Sequence, residues 1–164
     1  MAPPSSLKDV YIEELSDLVS ANVQMQKIMP EMAQQASDQR LKDLLQKSVT
    51  GIGQHTETIR QLLQAQGGGR EDCKGMEGLV EEARRHALNI QTRPDLRDIQ
   101  IIAAYQRMSH YGVAGFGTAA AYANALGLQE DTAKLKQIVS DIYQADEYTT
   151  ELALRTERAA AQSS

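Results

Sequence analysis

Tryptophan is absent from this chain of 164 residues, and phenylalanine occurs once, at Phe116. Large aromatic rings therefore cannot fill much of a core, and aliphatic and methionine side chains must do so. There is a single cysteine, Cys73, which excludes a disulfide framework within the chain and makes a reducing cytoplasm the expected compartment. No apolar run approaches the roughly 20 residues that a membrane span needs. The opening MAPPSSLKDV has no basic stretch followed by an apolar one, so no secretory signal is expected. Basic clusters are missing and the net charge is −5, which argues against nucleic acid or an anionic membrane as main partners. The GGG run at 67–69 has no Lys-Ser/Thr after it, so it is no phosphate loop, and neither a paired-cysteine motif nor HExxH occurs.

What remains is an ordinary globular composition, 41% hydrophobic and 24% charged, at a length that suits one domain with a sizeable core. The chain is organised around residues 99–126. There Tyr105, Ser109, Gly112, Phe116 and Tyr122/Ala123 recur at three-and-four spacing and share one helical stripe. The middle of that stripe holds no bulky apolar group. It holds Ser109 and Gly112, with His110 and Tyr111 beside them and Gly115 and Gly117 just after. A mid-helix glycine costs about 1 kcal/mol relative to alanine, so this cluster needs a reason. Close approach of a neighbouring helix is one, and loss of larger functional side chains is the other.

Residues 1–5 read as a loose leader. Residues 6–36 read as a helix capped by Ser6, with Leu7, Tyr11, Leu15, Leu18, Asn22, Met25 and Met29 on one face and Pro30 kinking or restarting it. Ser37 can cap a second helix over 37–66, whose face is Leu41, Leu44/Leu45, Ser48, Ile52, His55, Ile59 and Leu62. A short helix over 73–90 turns Met76, Leu79, Val80, Ala83 and Ala87 to one side and leaves His86 on the surface. Cys73, at its start, is expected to be a buried thiol. The long helix begins at Thr92 or Arg93, with Pro94 in its first turn, and ends at Gly127. A last helix over 130–158 carries Leu135, Ile138, Ile142, Ala145, Thr149 and Leu152, and the tail at 160–164 is expected to be flexible.

Four long helices with short turns in each pair, and a long middle connection carrying a fifth, predict an all-α, ferritin-like four-helix bundle with a long crossover. Such bundles can hold two metal ions at mid-height between facing carboxylates and histidines. The residues that fall at that height are Asn22, Gly51 with His55, Ser109 with Gly112, and Ile142 with Asp146. One histidine and one carboxylate are too few oxygen donors for a hard di-metal centre. They leave room for a weak single-ion site using His55, Asp146 and His110.

The stretches YIEELSDLVSAN, HTETIRQLL, CKGMEGLVEEA, DIQIIAAYQRMSHYGVAGFGT and ADEYTTELA resemble the YciF/YciE-type family of bacterial ferritin-like proteins over nearly the whole length. The resemblance implies a cytoplasmic, commonly dimeric bundle associated with bacterial stress responses and without an established enzymatic activity. It also implies glutamates at the positions of Asn22, Gly51, Ser109, Gly112 and Ile142, and matches at His55, His110, Tyr111 and Asp146. The presumed metal carboxylates are thus replaced together in one layer, which avoids leaving buried charges without their ion.

Three functions follow as expectations. One is a homodimeric structural or interaction protein with no cofactor and a degenerate metal site. Another is an iron- or manganese-binding protein of oxidative stress, its site rebuilt from His55, His110, Asp146 and acids such as Glu14, Asp17, Asp141 or Glu147. A third is a small-molecule carrier with a mid-bundle pocket lined by Tyr105, Tyr111, Phe116 and Ile142.

Overall fold

In the computed structural model residues 2–163 are described, and the outermost residue of each expected tail, Met1 and Ser164, lies outside the described residues. Helix α1 spans Leu7–Gln35, α2 Gln39–Ala65, α3 Lys74–Ala83, α4 Pro94–Ala125 and α5 Gln129–Gln162, with a π-helical turn at Arg84–Leu88 after α3. No strand occurs among the described residues, and no helix is long and apolar enough to cross a membrane. The all-α bundle with a helix-bearing crossover predicted from the sequence is the fold observed.

Local signals explain most of the element ends. Ser6 caps α1 by accepting from the Asp9 amide at 3.1 Å. Of the two effects expected of Pro30, a kink or a restart, the restart does not occur. Helix α1 runs through it, because Met29 and Met32 are fully buried on either side and the proline ring faces solvent. The cap of α2 is Asp38 rather than Ser37, its carboxylate accepting from the Arg40 and Leu41 amides. Ser37 turns instead to the buried Asp98 on α4. That carboxylate accepts from the Ser37 amide at 2.8 Å, the Ser37 hydroxyl and the Asp38 amide at 2.9 Å, and so ties the α1–α2 turn to the start of α4. The π-helical turn lets the adjacent Ala87 and Leu88 both point inward. Gly127, at φ +75°, makes the sharp α4–α5 turn. Helix α5 continues past the expected end at Arg158 as far as Gln162, with Ala160 buried, so the expected loose tail is helical up to that residue.

Helix α1 packs along α2 and α4, α4 along α5, and α3 lies across α1 and α4, while α2 and α5 meet only sparsely. The core is two clusters rather than one. Toward one end, Met25, Met29 and Met32 pack with Leu41, Leu45, Met76, Ile101 and Met108. Toward the other, Tyr11, Leu15 and Leu18 pack with Ile59, Phe116, Leu135 and Ile138. Methionine supplies much of the first cluster, the role left to it by the scarcity of aromatic rings.

Two of the three glycines of α4 have separate causes. At Gly115 a Cβ would lie 2.6 Å from Leu18 Cδ2, so α1 and α4 reach their separation only because no side chain intervenes. At Gly112 a Cβ would meet Ile142 Cδ1 at an ordinary 3.4 Å, so the missing side chain leaves room and relieves no clash. Gly117 faces open space, and nothing in the structure explains it. Gly117→Ala should therefore stabilise the fold by about 0.5–1 kcal/mol, the helix-propensity gain. Gly115→Ala should destabilise it by about 1–3 kcal/mol through overpacking, both read by urea denaturation.

Candidate functional site

Between the two core clusters lies a cavity of about 700 Å³. It opens where α2 and α5 diverge. All five positions at which the sequence reading put substituted metal ligands line it: Asn22 from α1, Gly51 from α2, Ser109 and Gly112 from α4, and Ile142 from α5. Phe116 and Tyr105 bound it on the α4 side, Met25 and Met108 come from the first core cluster, and Ile52 from α2. The part of the α4 stripe from Tyr105 to Phe116 is thus cavity wall, while Tyr122 and Ala123 pack in the second cluster. The mid-height residues of α2 and α5, Ser48, Ile52, His55, Ile142 and Ala145, are only half-buried because they stand at its open side.

Polar groups in the wall differ sharply in how they are satisfied. Ser48 Oγ donates to the Leu44 carbonyl at 2.8 Å, which leaves it to accept from Tyr105 Oη at 2.8 Å. Burial pushes the Tyr105 phenol above its ordinary value, so the ring stays a neutral donor. Asn22 is 4% exposed, yet its Nδ2 has no hydrogen-bond partner in the protein. A buried amide donor left in that state costs about 1–3 kcal/mol.

His55 and Asp141 meet at the mouth, Nε2 to Oδ2 at 2.9 Å, and Asp141 also accepts from Gln137 at 2.9 Å. Partial burial opposes ionisation of Asp141, but the hydrogen bonds from His55 and Gln137 outweigh it and hold the carboxyl below its ordinary value. His110 and Asp146 form a separate pair at 2.9 Å on the α4–α5 surface, outside the cavity lining. The trio His55, His110 and Asp146 is therefore not brought together, since each histidine takes its own aspartate. Asp17 is bound to Tyr111, Glu14 lies beside Gly115, and Glu147 is exposed.

Tyr111 also departs from its expected place in the pocket wall. It lies about 100° around α4 from Gly112 and faces α1 and α3. Its hydroxyl donates to Asp17 Oδ2 at 2.8 Å, which leaves its oxygen to accept from the Cys73 thiol at 3.0 Å. Its ring fills the space that a side chain at Gly75 would need, 2.7 Å from the Cβ position there.

The sequence matches the family described as a domain of unknown function, DUF892, over residues 6–162. The chain belongs to DUF892. Protein YciF of Escherichia coli (strain K12) is 30% identical over 152 residues, with 91% of each chain covered. The crystal structure of the E. coli stress protein YciF superimposes with a TM-score of 0.89 at 28% identity, covering 94% of this chain and 99% of the other. YcfI of Rhodopseudomonas palustris superimposes with a TM-score of 0.84 at 25% identity, covering 89% of this chain and 94% of the other.

In this DUF892 chain the layer's donors are an amide, hydroxyls, one imidazole and the Asp141 carboxylate. Among the described residues no three His, Cys, Asp or Glu side chains gather closely enough to hold an ion. Such a donor set does not fit a carboxylate-bridged pair of metal ions, which needs several anionic oxygens around the charge.

The remaining titratable cluster is closed rather than reactive. Cys73 is fully buried, its Sγ accepts from the Met76 amide at 3.3 Å to cap α3, and its own amide donates to Ser20 Oγ at 3.0 Å. Burial pushes the thiol up, which favours the unreactive protonated form. Iodoacetamide at pH 8 should leave Cys73 unmodified in the folded protein and alkylate it fully in urea, as read by mass spectrometry. Fast modification of the native protein would mean that α3 opens away from α1.

Proposed function

We propose that this chain is a YciF-type, ferritin-like protein whose mid-bundle metal layer has been replaced by neutral side chains. It acts without a resident metal as a non-enzymatic binding or structural protein of the cytoplasm, in the setting of a bacterial stress response. The observation that carries this reading is the cavity wall. Asn22, Gly51, Ser109, Gly112 and Ile142 come from all four long helices and meet around one space, and none brings a carboxylate. Replacement across the whole layer keeps it free of unpaired buried charge. The family membership and the E. coli relative described as a stress protein support the setting, and a relative described as a candidate structural protein supports a role without catalysis. A homodimer is the expected assembly, and Tyr143 and Leu154, about half exposed on one face of α5, offer it a surface.

The deciding measurement is metal content by mass spectrometry after expression with added iron, manganese and zinc. Far less than one ion per chain is expected, in a protein that stays helical and thermally stable. About two ions per chain would overturn the proposal and return the protein to the metal-binding, oxidation-protective class.

A further inference from the structure

The replaced layer did not close. Apolar side chains at the same positions would have packed the two core clusters into one. Instead the wall keeps two glycines, at Gly51 and Gly112, facing the space, and a Cβ added at Gly51 would meet nothing within 4 Å. The volume, about 700 Å³, is that of a site for a small organic molecule, within the usual range of roughly 300–1,000 Å³.

The chemistry of the wall narrows the occupant. Met25, Met108, Phe116 and Ile142 supply broad apolar surface. The hydroxyls of Ser48 and Tyr105 are engaged with each other and with the Leu44 carbonyl. Asn22 Nδ2 alone among the buried polar atoms of the wall lacks a partner, at the deep side on α1. The charged groups Asp43, Lys47, His55 and Asp141 stand at the α2–α5 mouth, where all four are at least partly exposed. A charged ligand would meet no opposite charge inside and would lose its hydration uncompensated. An uncharged ligand with one acceptor would satisfy the amide.

We propose that the cavity binds an uncharged, mostly apolar organic molecule bearing a carbonyl-type acceptor, which takes the hydrogen bond of the Asn22 amide. The molecule enters between α2 and α5, packs its apolar body on Phe116, Ile142 and the two methionines, and turns its acceptor toward α1. This rests on the reading of the layer as metal-free. Gly51 and Gly112 are then residues that make room for a ligand, and Asn22 is the residue that selects it.

The test uses prodan, a neutral naphthyl ketone whose emission shifts to the blue in apolar surroundings, alongside 2-(dimethylamino)naphthalene, which lacks the ketone. Wild-type protein should bind prodan saturably, one per chain, with blue-shifted emission. Gly51→Leu, which projects into open space and should fold well, and Gly112→Leu should each weaken binding at least tenfold. Asn22→Leu should weaken prodan about three- to tenfold, the worth of one neutral hydrogen bond, and leave the ketone-free compound within about twofold. Circular dichroism identifies any variant that fails to fold, and Gly51→Leu alone is sufficient for the cavity arm.

No saturable binding, or binding that ignores both leucine variants, overturns the site. Equal effects of Asn22→Leu on both compounds overturn the assigned acceptor contact. Metal content measured on the same samples separates the two readings. Metal-free protein that does not bind prodan overturns the ligand site alone, whereas stoichiometric metal overturns the metal-free reading and the ligand site with it.

Discussion

The structure depends on α4 being gripped at two heights. Below mid-height Ile101, Tyr105 and Met108 lock it to the methionine-rich cluster of α1, α2 and α3, and above it Phe116, Ala119 and Ala123 lock it to α1, α2 and α5. Each cluster is apolar and closed, and burial of this kind is the dominant favourable term in folding. Because the helices are held both above and below, the layer between the clusters is not required to contribute apolar contact. It can carry an unpartnered amide, two glycines and a cavity while the bundle keeps its shape.

The helix spacings follow from the same arrangement. Gly115 lets Leu18 approach the α4 backbone, and Gly75 lets the Tyr111 ring lie against α3. These two contacts pull α1, α3 and α4 together on one side of the molecule. On the other side α2 and α5 have few contacts with each other, and the pair His55–Asp141 is the polar bridge across the gap. The cavity mouth is on that side for this reason. A bridge at a partly exposed site contributes little to stability, so the opening of the gap is governed by packing elsewhere and not by that pair.

A shared backbone geometry and a largely uncharged middle layer are the functional theme. The backbone superimposes closely on E. coli YciF, and the layer between the two clusters carries amide, hydroxyl, hydrogen and aliphatic groups. A cavity with apolar walls and one free donor recognises by shape and a single hydrogen bond, whereas a metal site recognises by charge. The scaffold tolerates an open layer because its apolar burial resides in the clusters above and below.

Much was legible in the sequence. Five helices, their inward stripes, the long crossover and the height of the critical layer all follow from periodicity, caps and glycine stops, which are properties of residues near one another along the chain. The shared wall positions on α4 were legible too, since Ser109 and Gly112 stand on the same stripe as Tyr105 and Phe116. What only the tertiary structure decided was partner choice across helices. His55 takes Asp141 and His110 takes Asp146, so no joint ligand set forms. Tyr111 turns away from the cavity to Asp17 and Cys73, and Ser37 gives up its cap to reach Asp98. These outcomes hinge on rotations of about 100° per residue and on interhelix distances of a few ångströms. Such distances are set by packing along the whole of each helix pair, and no local pattern at the affected residue encodes them.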